Sequence, residues 1–126
     1  MNVTLLPALV PTDPEPILRV IIEEGVKVVE TAGRSPEALI PPLHEAGITI
    51  VHKCVAVRHA VTAERLGCDA ISMDGFECGG HPGEEDVGNF VLQAIAAREL
   101  TVPFVCSVSS RRALIVPMRT YWSMHL

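Results

Sequence analysis

Residues 47–72, GITIVHKCVAVRHAVTAERLGCDAIS, contain the unit on which this chain is built. An apolar, partly β-branched run at residues 48–52 is followed by a helix-like stretch at residues 57–66, and a second apolar run begins after Gly67. Glycine suits that junction, because a left-handed torsion closes the last turn of a helix. Strands that are apolar on both faces are typical of buried parallel sheets. The segment therefore predicts a strand–helix–strand unit of an α/β protein.

The same pattern recurs along the chain at a spacing of about 20 residues, which is the length of one such unit. Apolar runs follow Gly25 and Gly47, and a further run at residues 101–106 lacks the glycine. Helix signals fill the gaps: Asp13-Pro14-Glu15 and Ser35-Pro36-Glu37 each place a capping residue, a proline and an acid at a helix start. With an N-terminal strand, the predicted order is β-α-β-α-β-α-β-α-β.

Two predictions concern individual helices. Proline in a helix interior costs about 3 kcal/mol, so Pro41-Pro42 should interrupt the second helix and leave a short helix at residues 42–46. The fourth helix has a clear apolar periodicity, which predicts that one face is buried; its members are Val87, Phe90, Val91, Ala94 and Ile95.

Polar side chains end several successive predicted strands, and this favours one architecture over another. They are Glu30-Thr31, His52-Lys53-Cys54, Asp74 and Ser107. A doubly wound sheet is the alternative, but neither G-x-G-x-x-G nor G-x-x-x-x-G-K follows the first strand. Polar groups from many strand ends on one face favour a (β/α)8 TIM barrel. Since a complete barrel takes about 250 residues, we predict a partial barrel of about five parallel strands with four intervening helices.

The stretch DGFECGGHPGEED at residues 74–86 is the strongest candidate for a site. It follows a buried strand, and its glycines let the backbone approach a ligand closely. In parallel α/β proteins, ligands bind at the carboxyl ends of strands. His81 lies within this loop. His52 is next to Lys53 in the sequence, but the alternation of side chains along a strand should point the two to opposite faces of the sheet.

Composition limits the classes of function. The net charge of −5 over 126 residues argues against nucleic acid or an anionic membrane as the main partner. No apolar run approaches the roughly 18 residues of a membrane span, and the N-terminus lacks the basic flank of a signal peptide, so we expect a cytoplasmic protein. The four cysteines form no C-x-x-C pair, so neither a metal site nor a disulfide framework is predicted.

The motifs carry a specific resemblance. HKC at residues 52–54, VRHA at 57–60, AERLG at 63–67 and the loop at 74–86 resemble the central region of nitronate monooxygenases, formerly called 2-nitropropane dioxygenases. The similarity covers roughly residues 3–107. It implies an FMN-dependent (β/α)8 barrel that oxidises alkyl nitronates or nitroalkanes with molecular oxygen. Related flavin barrels of similar sequence act as NADH:quinone reductases, which leaves that activity as an alternative.

The resemblance also implies roles for individual residues. His81 matches the active-site histidine, which acts as base or positions the nitronate. The positions that match cofactor-binding residues are Lys53 and Asp74 at strand ends near the flavin, Gly79 and Gly80 at backbone contacts, and Ser107 near the phosphate. Each has a plainer alternative: His81 as a helix cap, Lys53 as a solvated strand end, and Asp74 as a structural turn acid.

The resemblance ends after Ser107. We therefore divide the chain into a partial FMN-dependent barrel domain at residues 1–107 and a divergent tail at residues 108–126, which contains Tyr121 and Trp122. A partial barrel leaves open sheet edges, and unpaired edges are templates for association. We expect self-association, and a non-catalytic barrel fragment is the alternative to an enzyme.

Overall fold

The computed structural model describes residues 13–78, 86–107 and 114–116. Helices and strands alternate along this part of the chain, which confirms the α/β prediction. In order they are α1 (Glu15–Glu23), β1 (Val28–Thr31), α2 (Ile40–Glu45), β2 (Thr49–Cys54), α3 (Val57–Leu66), β3 (Ala70–Asp74), α4 (Asn89–Glu99), β4 (Phe104–Ser107) and β5 (Leu114–Val116). Among the described helices, none is long and apolar enough to cross a membrane.

The sheet has the strand order β1-β2-β3-β4-β5. Strands β1 to β4 are parallel, and each is paired with the next one along the chain. Right-handed crossovers between strands in consecutive order place every helix on the same face of the sheet. A doubly wound sheet would reverse direction and place helices on both faces. The topology is therefore that of a partial TIM barrel, as predicted.

Four parallel strands lie in the described residues, and the predicted N-terminal strand falls outside them. The fifth strand of the sheet, β5, differs from the prediction: it lies in the segment assigned to the tail and pairs antiparallel with β4. Residues 108–113 are all that separates the two strands. A parallel return needs a crossover of a dozen or more residues, so this connection is long enough only for an antiparallel one.

Helix boundaries follow the local chemistry. Helix α3 has the predicted bounds and ends at Gly67, whose φ of 107° is the left-handed conformation expected at a C-terminal cap. The prediction for α2 was wrong at its start, because the helix begins at Ile40 and takes in both prolines. Pro41 and Pro42 lie in the first turn, where the missing N–H groups have no intrahelical partner to lose.

The hydrophobic core lies between the helices and one face of the sheet. Its largest fully buried side chains include Phe104, Leu43, Ile50, Ile71 and Met73. Because strand side chains alternate between faces, the intervening residues lie on the opposite face, which has no helix over it in the described residues. We call this the open face, and it contains Glu30, Val51, Lys53, Ser72 and Asp74.

The predicted buried face of α4 was wrong. Phe90 is 74% exposed and Val91 is 54% exposed, whereas Leu92 and Ala96 are buried. The rotation of the helix is fixed by Asn89, which is fully buried and donates from its side-chain amide to the Met73 carbonyl oxygen at 3.0 Å. The buried face has an apolar series of its own, Leu92, Ala96 and Leu100, so apolar periodicity alone could not choose between the two faces.

Candidate functional site

Charged side chains from three neighbouring strands meet on the open face near the carboxyl ends of the strands. The parallel register fixes their relative heights, pairing Glu30 with Val51, Lys53 with Ser72, and Asp74 with Ser107. Parallel strands end at the same edge of a sheet, so residues distant in sequence come together here. The sequence-based grouping of Lys53 and Asp74 agrees with this geometry.

Lys53 lies between two carboxylates. Its Nζ is 3.7 Å from Glu30 Oε1 and 3.5 Å from Asp74 Oδ2. The lysine side chain is 31% exposed, while those of Glu30 and Asp74 are 15% and 11% exposed. The ammonium is therefore accessible between two largely enclosed carboxylates. Lys53 is thus both partly solvent-exposed and paired with carboxylates, and its role at the flavin stays a prediction.

Asp74 has a second carboxylate oxygen that faces a different environment. Its Oδ1 is buried and, within the described part of the chain, has no hydrogen-bond partner. A buried carboxylate oxygen without a donor is costly, so this atom is suited to accept a hydrogen bond from a ligand. Beside it, the Lys53 ammonium is suited to donate one.

The glycine that follows Asp74 brings the loop against α4. A Cβ on Gly75 would overlap the backbone nitrogen of Asn89 and the carboxylate of Glu77, and would lie 2.9 Å from the Asn89 Cα. Only glycine permits this approach, because it has no side chain. The start of the loop is thus fixed against the first turn of α4.

Both flanks of the glycine-rich loop are held together by hydrogen bonds. The backbone nitrogen of Phe76 donates to the Val87 carbonyl oxygen at 3.1 Å, and that of Asn89 donates to Glu77 Oε1 at 2.8 Å. Glu77 therefore caps α4, a role that sequence reasoning missed. The cap and its helix are separated by the loop, so only the tertiary structure identifies the pair.

His81, Gly79 and Gly80 lie outside the described residues. The flanks at Cys78 and Asp86 are described, and Cys78 is close enough to the charged side chains to be affected by them. The backbone of Ser107 is placed at the end of β4, level with Asp74. The roles of His81, both glycines and Ser107 remain predictions, as do the flavin roles of Lys53 and Asp74.

His52 lies on the opposite side of the sheet from Lys53, as strand alternation predicted. Its side chain is buried, and its Nδ1 is 2.7 Å from Thr31 Oγ1. Burial lowers the pKa of His52 below its ordinary value, and the nearby His59 lowers it further. Glu30 and a hydrogen bond with the Thr31 backbone act in the opposite direction and raise the pKa. This neutral imidazole supports β1 and β2 from the side of the core.

The four cysteines lie in the described residues, and none forms a disulfide there. Burial raises the pKa of Cys54 to about 12 and those of Cys68 and Cys106 to about 11. The pKa of the half-buried Cys78 is also raised, by burial and then by Asp74, with Lys53 opposing. Because the thiolate is the nucleophile, these thiols are poor nucleophiles at neutral pH. In residues 13–78, 86–107 and 114–116, no group of three or more His, Cys, Asp or Glu side chains is placed to hold a metal ion.

Comparison with known proteins gives consistent matches. The nitronate monooxygenase of Paraburkholderia phytofirmans is 30% identical over 99 residues, which is 72% of this chain and 27% of that protein. FabK from Thermotoga maritima has a TM-score of 0.73 and 32% identity, over 83% of this chain and 32% of FabK. Nitroalkane oxidase from Streptomyces ansochromogenes shares the fold, with a TM-score of 0.66 at 24% identity, over 78% of this chain and 31% of the oxidase.

The chain spans about a quarter to a third of the length of these relatives. A family model described as nitronate monooxygenase matches residues 12–107. That match starts before α1 and ends at the last residue of β4, so it takes in every described helix and all four parallel strands. The chain belongs to the nitronate monooxygenase family.

Proposed function

We propose that this chain supplies part of the active site of an FMN-dependent oxidoreductase that oxidises alkyl nitronates or nitroalkanes with molecular oxygen. The observation that carries the proposal is the accessible Lys53 ammonium, 3.5 Å from Asp74 Oδ2, beside the buried Asp74 Oδ1, which has no hydrogen-bond partner among the described residues. This pair lies where ligands bind in barrels, at the carboxyl ends of the strands. Family membership supports the class of reaction.

The described residues fit a flavin ring. Its pyrimidine edge presents a ring N–H beside carbonyl oxygens; Asp74 Oδ1 can accept from such an N–H, and Lys53 can donate to such an oxygen. Gly79 and Gly80 would offer backbone contacts, and Ser107 would bind the phosphate. When bound, FMN supplies the electron-accepting chemistry. A positive charge near the ring favours its reduced, anionic form.

His81 is the residue to which we assign proton transfer. An imidazole with an ordinary pKa of about 6.5 can take the α-proton of a neutral nitroalkane at neutral pH. With a preformed nitronate, whose α-proton is already gone, the same side chain orients the substrate. Replacing His81 with Asn should therefore depress turnover of the nitroalkane more than that of the nitronate. Equal losses on both substrates would assign His81 to positioning alone.

The net charge of the open face bears on whether the substrate is neutral or anionic. Two carboxylates and one ammonium, Glu30, Asp74 and Lys53, sum to −1 on the open face. A negative site attracts a neutral substrate more readily than an anionic nitronate. This supports a neutral nitroalkane within the proposed function, and NADH:quinone reduction stays the second candidate through the family resemblance alone.

The first experiment is an FMN titration of the purified chain, followed by flavin fluorescence and absorbance, with the molecular mass measured in parallel. We expect saturable binding that Lys53→Met weakens and Lys27→Met does not. Lys27 is an exposed lysine at the opposite end of the strands, so it is a matched control. Turnover with nitronate, nitroalkane, and NADH with quinone then separates the candidates. A chain that binds no flavin would be a non-catalytic barrel fragment.

A further inference from the structure

Glu30 is the member of the charged group to which the family resemblance gave no role. Its register partner Val51 lies two residues before Lys53, and Asp74 lies two residues beyond Ser72, the register partner of Lys53. Two residues along a strand are about 6.6 Å. The three charged side chains therefore form a diagonal, with Glu30 deepest, Lys53 in the middle and Asp74 at the edge where the strands end.

Neither contact of the lysine is a close ion pair. Distances of 3.7 Å to Glu30 and 3.5 Å to Asp74 exceed the roughly 2.7–2.9 Å of a good charge-assisted hydrogen bond. The ammonium is shared between a carboxylate below it and one above it. Attraction towards Glu30 opposes attraction towards Asp74, so the position of Nζ depends on both.

We propose that Glu30 is a positioning residue of the flavin site, which holds the Lys53 ammonium below Asp74 and so keeps Asp74 able to accept a hydrogen bond from the ligand. Without Glu30, Asp74 would be the one carboxylate partner of Lys53 in the described part of the chain, and the ammonium would close onto it. The closed pair would turn the donors of the lysine away from the ligand, and it would draw the Asp74 carboxylate, through Oδ2, out of the position in which Oδ1 accepts a hydrogen bond. This inference rests on the proposed function, because the ligand concerned is FMN.

The test is a double-mutant cycle in FMN binding. The variants are Glu30→Gln, Lys53→Met and the double variant, with Glu37→Gln as a control that makes the same change at an exposed glutamate. We expect Glu30→Gln to raise the dissociation constant of FMN about three- to tenfold, and to have no further effect once Lys53 is Met. Glu37→Gln should bind FMN like the unsubstituted chain.

A second readout separates positioning from a loss of structure. At saturating FMN, the absorbance spectrum of the bound flavin in Glu30→Gln should shift towards that of Lys53→Met, which a purely structural role would not produce. Glu30→Asp keeps the charge one methylene shorter, so its dissociation constant should be intermediate. Urea unfolding of each variant checks that it is folded. If Glu30→Gln does not fold, Glu30→Asp, alone and combined with Lys53→Met, tests whether Glu30 positions Lys53.

Two results would overturn the inference while leaving the proposed function intact. One is unchanged FMN affinity in Glu30→Gln while Lys53→Met weakens binding. The other is an equal loss from Glu30→Gln in both backgrounds, because Glu30 would then act without Lys53. A chain that binds no FMN in any variant, including the unsubstituted one, would instead overturn both the proposed function and this role of Glu30.

Discussion

Lys53 and His52 are adjacent in sequence but have opposite environments. Strand alternation sends Lys53 to the open face, where it is shared by two carboxylates, and His52 to the core, where it contacts Thr31. A single β-strand thus supplies both a candidate ligand-binding cation and a buried neutral base. The burial of His52 should therefore make the stability of the fold depend on pH.

The first prediction concerns pH. The folded-state pKa of His52 is lowered, so below about pH 6.5 the unfolded chain binds a proton that the folded chain resists. The resulting contribution to stability is present above the unfolded pKa and is lost as pH falls through the folded pKa. We expect the free energy of unfolding to decrease from pH 7 to pH 5, as measured by urea denaturation.

His52→Asn should reduce this slope, because it removes the titrating group while keeping a polar atom near Thr31. His59→Asn should reduce it less, since His59 is only the second cause of the lowered pKa. A slope that is unchanged in His52→Asn would assign the acid sensitivity to other groups.

The second prediction concerns Gly75. An added Cβ would meet backbone atoms of Asn89, which cannot move without displacing α4. Gly75→Ala should therefore cost about 1–3 kcal/mol of unfolding free energy, measured by urea denaturation. Gly88→Ala is the matched control, because its Cβ would have neighbours only at 3.7 and 3.9 Å. It should cost no more than about 1 kcal/mol as a change of helix cap. Equal losses from both substitutions would contradict the close-approach argument.

At the scale of elements, α4 gives the sharpest difference between pattern and structure. Its apolar residues repeat with helical spacing, but the face they mark is exposed. The face that packs on the sheet is held by the Asn89–Met73 hydrogen bond and by the Glu77 cap at the first turn. A neighbouring strand and loop, rather than the helix itself, determine which side is buried.

The third prediction compares the two faces of α4. Leu92→Ala should cost about 2–5 kcal/mol, because Leu92 is 3% exposed and its removal leaves a cavity. Phe90→Ala should change stability by less than about 0.5 kcal/mol, because Phe90 is 74% exposed. Urea unfolding of both variants measures the difference. A larger loss of stability from Phe90→Ala than from Leu92→Ala would instead support the buried face predicted from the sequence.

At the scale of the whole molecule, the described structure is a five-stranded sheet with helices on one face. Among the described strands, β1 pairs only with β2, and Val28 in β1 is 45% exposed. A strand edge with unpaired N–H and C=O groups favours pairing with another chain. The open face and this edge are the regions through which copies would associate.

The fourth prediction is therefore self-association. Sedimentation velocity over a range of concentrations should show species larger than the monomer. Val28→Lys should shift the distribution towards the monomer, because edge lysines oppose strand pairing. Val20→Lys makes the same change in α1, at a side chain that is 53% exposed, and should not shift the distribution. A monodisperse monomer at all concentrations would rule out association through this edge.

Much of the architecture was predictable at this scale, because it depends on local signals. The 20-residue recurrence and the glycines that end helices, such as Gly67, indicate parallel strand–helix units. The antiparallel β5 was not predicted. Residues 114–116 are an apolar, partly β-branched run, but such a run does not specify the partner or direction of a strand, and the antiparallel pairing depends on the short connection after β4.

The sequence by itself determined the α/β class, the bounds of α3, the alternation that separates His52 from Lys53, and the position of Lys53 and Asp74 near the ends of strands. These follow from periodicity, from helix ends and from which residues occupy strand ends. Only the tertiary structure decided which face of α4 is buried, that Glu77 caps that helix, and that Glu30 shares Lys53 with Asp74. The physical reason is the same in each case: these contacts join residues on separate elements, and the register between strands and the packing of helices set them.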